Sequence, residues 1–108
     1  MPQDPRGSYW RWRVDRLMQQ AYQSAHSSSD GRTALLTMDD LRFSLGCTRA
    51  EVVQMLRAGV EVGAWTYTYH ADGGSIILTM SWLPSTVDSE TIYTTKAALT
   101  AYLEEHHP

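Results

Sequence analysis

Cys47 is the only cysteine among 108 residues, so no internal disulfide can form and no CxxC redox or zinc pair exists. No apolar run approaches the ~20 residues that a bilayer-spanning helix needs. Met1-Pro2-Gln3-Asp4-Pro5 is polar and no apolar stretch follows it, which predicts residence in the cytoplasm rather than secretion. Also missing are a Gly-rich phosphate loop, a GxSxG elbow and an HExxH helix, the patterns that place a nucleophile or a metal. Neither catalysis nor a cofactor is therefore expected. Positive charge is scarce in the second half, where Lys96 stands alone against six acidic residues. The formal net charge of -3 thus hides halves of +2 (residues 1–57) and -5 (residues 58–108), too uneven for a pervasive nucleic-acid-binding charge but open to a basic face on the first half.

What is present argues for a folded chain. The composition is 43% hydrophobic, with four Trp and six Tyr, and the length suits a single domain over residues 1–108 with one modest core. Ser8 is placed to cap a first helix reaching about residue 25, because Trp10, Val14, Leu17, Met18, Ala21 and Ala25 recur at helical spacing. Trp12 falls about 160° from the centre of that stripe, beside Arg16 and Gln19, and is expected to be exposed. Residues 26–32, rich in Ser and ending Asp30-Gly31-Arg32, read as a loop, and residues 34–36 as a short strand.

Two capped helix starts follow. Thr37 with Asp40 opens a helix over residues 38–45, Gly46 and Cys47 supply a turn, and Thr48 with Glu51 opens a second helix through about residue 60. That helix carries Val52, Val53, Leu56 and Val60 on one stripe and presents Ala50, Glu51, Gln54, Ala58 and Glu61 opposite, with Gly59 or Gly63 as its stop. Residues 64–70 and 75–82 then alternate as strands, Trp65, Tyr67 and Tyr69 sharing one face and Ile76, Leu78, Met80 and Trp82 another. Asp72-Gly73-Gly74 between them tolerates positive φ, which predicts a hairpin. Pro84 ends the second strand, residues 85–90 form a polar connection, residues 91–93 are ambiguous, and a last helix is expected over residues 95–105 with Ala98, Leu99, Tyr102 and Leu103 on one side.

Helix, turn, helix and hairpin in that order resemble a winged helix-turn-helix. The resemblance implies an α+β fold of helix, short strand, two helices (37–62), a hairpin wing (64–83) and an added C-terminal helix, with the short strand pairing to the wing. It also implies a duplex-DNA-binding transcriptional regulator in which the second helix of the motif enters the major groove. Carried onto this chain, Arg42, Arg49, Gln54 and Arg57 become the DNA-binding candidates. Gln54 would read adenine, and Arg49 or Arg57 guanine or phosphate. A homodimer through Leu99, Tyr102 and Leu103 is the implied assembly.

Other readings of the same residues stay open. The hairpin tip, residues 70–74, departs from a DNA-binding wing in having no Arg or Lys. Arg42, Arg49 and Arg57 alternatively form a solvated face paired with Asp39, Asp40 and Glu61. Trp12 and Arg16 would then anchor a protein partner, and the chain would be an interaction adaptor or inhibitor, such as a phage or mobile-element protein binding a host complex without DNA. The aromatic ladder of Trp65, Tyr67 and Tyr69 either packs on the core or offers a stacking platform for unpaired bases. His106-His107 at a terminus, the Asp39-Asp40 pair at a cap and Cys47 in a turn are explained without metal or acid–base chemistry.

Overall fold

The computed structural model describes residues 5–106, with side chains from Tyr9 onward. Its elements are α1 (Pro5–His26), β1 (Thr33–Thr37), α2 (Met38–Leu45), α3 (Arg49–Glu61), β2 (Trp65–Tyr69), β3 (Ser75–Met80) and α4 (Ser89–His106). Four helices and a three-stranded antiparallel sheet of order β1-β3-β2 make an α+β arrangement compatible with a winged helix-turn-helix. In register, β1 pairs with β3 from Thr33↔Thr79 to Thr37↔Ser75, and β2 with β3 from Trp65↔Met80 to Tyr69↔Ile76.

Local chemistry sets most element ends. α1 begins at Pro5, so Ser8 lies in its first turn and not at the cap; proline suits that first turn because its missing N–H has no helical acceptor there. The Thr37 side chain accepts from the Asp40 N–H, and Gly46 closes α2 at φ 62, the left-handed region in which glycine carries no Cβ penalty. Thr48 and Glu51 form a full capping box at the start of α3. Two aspartates organise turns: Asp30 accepts from the N–H groups of Arg32 and Thr33, and Asp72 from those of Gly74 and Ser75. The Thr33 hydroxyl, which donates to Asp30, and then those N–H groups hold the Asp30 carboxyl below the usual carboxylate range, and the Ser75 and Gly74 N–H groups do the same for Asp72.

α4 starts six residues earlier than the sequence pattern predicts, at Ser89 rather than Thr95. Asp88 caps it, accepting the Thr91 N–H at 2.8 Å. Its β-branched run is accommodated because Thr94, Thr95 and Thr100 turn their hydroxyls back onto the carbonyls of Glu90, Thr91 and Lys96.

One core joins these elements. The α1 stripe from Trp10 to Ala25 is buried throughout, as its spacing predicts, together with Leu41 and Leu45 of α2, Val52, Met55 and Leu56 of α3 and Ile76, Leu78 and Met80 of β3. Leu99 and Leu103 of α4 belong to the same core, packed with α1 and α3. They are therefore buried within the chain itself, which removes them from the dimer surface expected of them. Ala58 needs the same correction: it is fully buried rather than outward, because α4 covers that flank of α3, while Val60 is 41% exposed.

Gly59 does not end α3; it lies inside it, and Gly63 at φ 79 follows the stop. A Cβ on Gly59 would stand 2.0 Å from Cε2 of Trp65. The missing side chain lets the indole lie on the helix backbone, where Trp65 Nε1 donates to Leu56 O at 3.0 Å. That contact offsets the ~1 kcal/mol that a glycine costs a helix interior.

Candidate functional site

The α2–α3 unit is tied to α1 on either side of its turn. Gln20 Nε2 donates to Ser44 Oγ in the last turn of α2 at 2.9 Å. In the first turn of α3 Glu51 is shared: Oε1 accepts the Thr48 N–H at 2.9 Å, and Oε2 accepts the Tyr9 hydroxyl. Burial, and then the Glu51 carboxylate, push the Tyr9 hydroxyl up to about 12. The Arg13 guanidinium lies 3.7 Å over the Tyr9 ring and donates to Tyr9 O at 2.5 Å. Glu51 is thus engaged by α1 and by the cap, and is not the free outward acid that its helical phase suggested.

Arg42, Arg49 and Arg57 all stand in solvent. Among the described residues none of the three enters an ion pair, so the alternative of pairing with Asp39, Asp40 and Glu61 is not realised. Arg49 opens α3 and Arg57 lies eight residues further on, a rise of about 12 Å. Gln54 is half-buried and turned toward α4, lining a depression of about 280 Å³ with Arg57, Glu61, Tyr102 and His106. The structure therefore brings Arg49 and Arg57 to one open face and sets Gln54 at its flank. Tyr102, the third residue assigned to a dimer contact, is half-buried in that depression and stacks on His106 at 4.0 Å.

Beside this face the aromatic ladder runs from core to solvent: Trp65 is 1% exposed, Tyr67 half-buried and Tyr69 44% exposed. Tyr67 and Tyr69 meet edge to face at 5.8 Å. Burial raises the Tyr67 hydroxyl, the neighbouring Tyr69 adds to that, and the Arg57 charge opposes both. At the hairpin tip His70 Nδ1 sits 3.7 Å from the Asp72 carboxylate.

On the opposite flank Trp12 is exposed as expected, with Arg13 and Arg16 over its ring at 4.4 and 5.6 Å. It borders a groove of about 720 Å³ between α1 and α4 that also holds Tyr93 and has Ala97 and Ala101 along it. Lys96 of α4 pairs with Asp15 of α1 there.

Two exposed aromatics escaped the sequence reading, Tyr93 at 74% and Phe43 at 92%. Phe43 was findable, since it lies off the Met38/Leu41/Leu45 stripe that α2 buries. Tyr93 was hidden by the ambiguity of residues 91–93.

Cys47 is a packing residue, its thiol pushed up by burial and so poorly suited to nucleophilic attack. Among the described residues no three His, Cys, Asp or Glu side chains cluster as metal ligands, and no helix is long and apolar enough to cross a membrane. His106 stacks on Tyr102 and its Nδ1 lies 2.9 Å from Tyr102 O, whereas His107 falls outside the described residues. Compared with known proteins, the chain matches no family model, no curated protein and no solved structure.

Proposed function

We propose that this chain is a winged helix-turn-helix protein that binds duplex DNA, with α3 as the helix entering the major groove and β2–β3 as the wing, and that it serves as a small transcriptional regulator. The observation that carries this reading is the set of three exposed guanidiniums, Arg42, Arg49 and Arg57, on the helix-turn-helix, none of them in an ion pair among the described residues. Such arginines leave their charge and their bidentate donors available to phosphate or to a guanine edge. The ~12 Å rise between Arg49 and Arg57 is comparable to the width of the major groove. Withdrawal of Glu51 to Tyr9 and to the cap removes the acid nearest the start of that helix. The hairpin tip, with Asp72 and no Arg or Lys, adds no phosphate contact, so the affinity rests on α2 and α3.

Selection from a random duplex pool tests this. Binding should be recovered at about 50 mM salt and weaken steeply by about 200 mM, and Arg57→Ala should cost about 1–3 kcal/mol of affinity with relaxed preference at one base pair. No binding at the lower salt overturns the reading.

A second reading, a protein-binding adaptor or inhibitor, is favoured by the pair of exposed aromatics at the α1–α4 groove, Trp12 and Tyr93. Exposed Trp beside Arg is a common composition of interface anchors. In that case a stable partner is retained by the wild type and lost by Trp12→Ala with the fold intact.

A further inference from the structure

The two edges of the sheet are finished differently. In an antiparallel pair alternate residues turn both backbone groups toward the partner strand. His70 N–H donates to Ser75 O at 2.9 Å and Ser81 N–H to Ala64 O at 3.0 Å. With the register of β2, this turns Thr66 and Thr68 toward β3 and leaves the N–H and C=O of Tyr67 and Tyr69 pointing outward. On the other side, Met80 N–H donates to Arg32 O at 3.1 Å and Met38 N–H to Gly74 O at 2.8 Å, so the backbone of Leu35 points outward from β1.

α1 closes that edge. Ser24 Oγ donates to Leu35 O at 3.2 Å and accepts from Leu35 N–H at 2.9 Å. Nothing equivalent covers β2: among the described residues no hydrogen bond reaches the outward N–H or C=O of Tyr67 or Tyr69. Edge strands are ordinarily blunted by a charge, a proline or a bulge. β2 reads Trp-Thr-Tyr-Thr-Tyr and pairs without a bulge, so it has none of these protections.

We propose that this open edge pairs with β2 of a second copy, antiparallel about a two-fold axis at Thr68, joining the two sheets into one. In that register Tyr67 of each copy faces Tyr69 of the other and each pair exchanges both backbone hydrogen bonds. The occupant follows from the strand itself. It carries no charge, so pairing with itself sets no like charges opposite one another. The edge-to-face meeting of Tyr67 with Tyr69 inside one chain has its counterpart across the axis, where aromatic cross-strand pairs add to the ladder. The inference is independent of whether α3 binds DNA.

Sedimentation of the full chain over a concentration series, with amide hydrogen exchange on the same samples, tests it. A concentration-dependent dimer is expected, in which Tyr67 and Tyr69 amides gain protection on assembly while Thr66 and Thr68 amides are protected throughout. Tyr69→Pro deletes an outward N–H from each copy, and should weaken the dimer about tenfold or more. Thr68→Lys, at an exposed position, places two ammoniums at the axis without touching the ladder to β3, and should weaken it while leaving the monomer folded. A chain that stays monomeric with fast exchange at Tyr67 and Tyr69 overturns the proposal. So does a dimer that Thr68→Lys leaves unchanged, or protection of those amides that appears only with an added extended peptide.

Discussion

On one side of α3, Val52, Met55, Leu56, Ala58 and Gly59 are buried, and Trp65 lies so close to Gly59 that not even a methyl group fits between them. On the other side Arg49, Arg57 and Val60 stand in solvent with no ion pair to either arginine among the described residues. One helix therefore answers two demands. Its inner face is held by shape, where a single carbon is too much, and its outer face by nothing beyond solubility. Close-packed interiors respond to volume, and solvated surfaces scarcely do.

The largest way to break this contrast is Gly59→Val. Its Cβ alone would stand 2.0 Å from the Trp65 ring, which is pinned by its own bond to Leu56 O. Overpacking of about 1–3 kcal/mol, at the upper end of that range, should appear as a lower urea midpoint. An unchanged midpoint would mean that Trp65 is not seated on the helix.

Thr48→Ala acts at the boundary between the two faces, removing the acceptor for the Glu51 N–H. A loss of about 1 kcal/mol is expected, without change in the α3 surface.

A third effect is confined to alkaline pH. The Tyr9 hydroxyl is raised from 10.0 to about 12 by burial and by Glu51. Because the folded chain holds that proton more tightly than the unfolded chain, its contribution is complete below pH 10.0 and falls as pH rises toward about 12. Tyr9→Phe should flatten stability against pH in that window, read by thermal melting; an unaltered slope would place the titration elsewhere.

The smallest expected effect sharpens the comparison from the other side. Arg57→Ala should change stability by less than about 0.5 kcal/mol, so any loss of DNA affinity in that variant belongs to the contact and not to the fold.

Much of the architecture was legible because its causes are local. Thr37, Thr48 and Glu51 announce helix starts by satisfying N–H groups within one turn, and Asp72 with Gly73 makes the hairpin from bonds within three residues. The α1 stripe from Trp10 to Ala25 is periodic enough to declare its buried face, and with it the exposure of Trp12.

What escaped depended on partners distant in the chain. The first turns of α4 are a Thr-rich run whose β-branched composition favours a strand, and they become helical where Asp88 caps them and Leu99 and Leu103 fill the space beside α1 and α3. That docking buries Ala58 and turns the expected dimer residues inward. Gly59 looked like a helix stop because glycine often is one, and only the approach of Trp65 shows why it stands in mid-helix. The alternation of β2 was visible in the sequence, but which of its backbone groups stay unpaired was not, since that depends on the register with β3 and on which edge α1 covers. Caps, turns and periodicity were therefore set by neighbours along the chain, through hydrogen bonds that close within a few residues. The covered flank of α3, the freedom of its arginines and the open edge of the sheet were decided only when elements far apart in sequence were packed together, because burial and pairing belong to the assembled surface and not to any one segment of it.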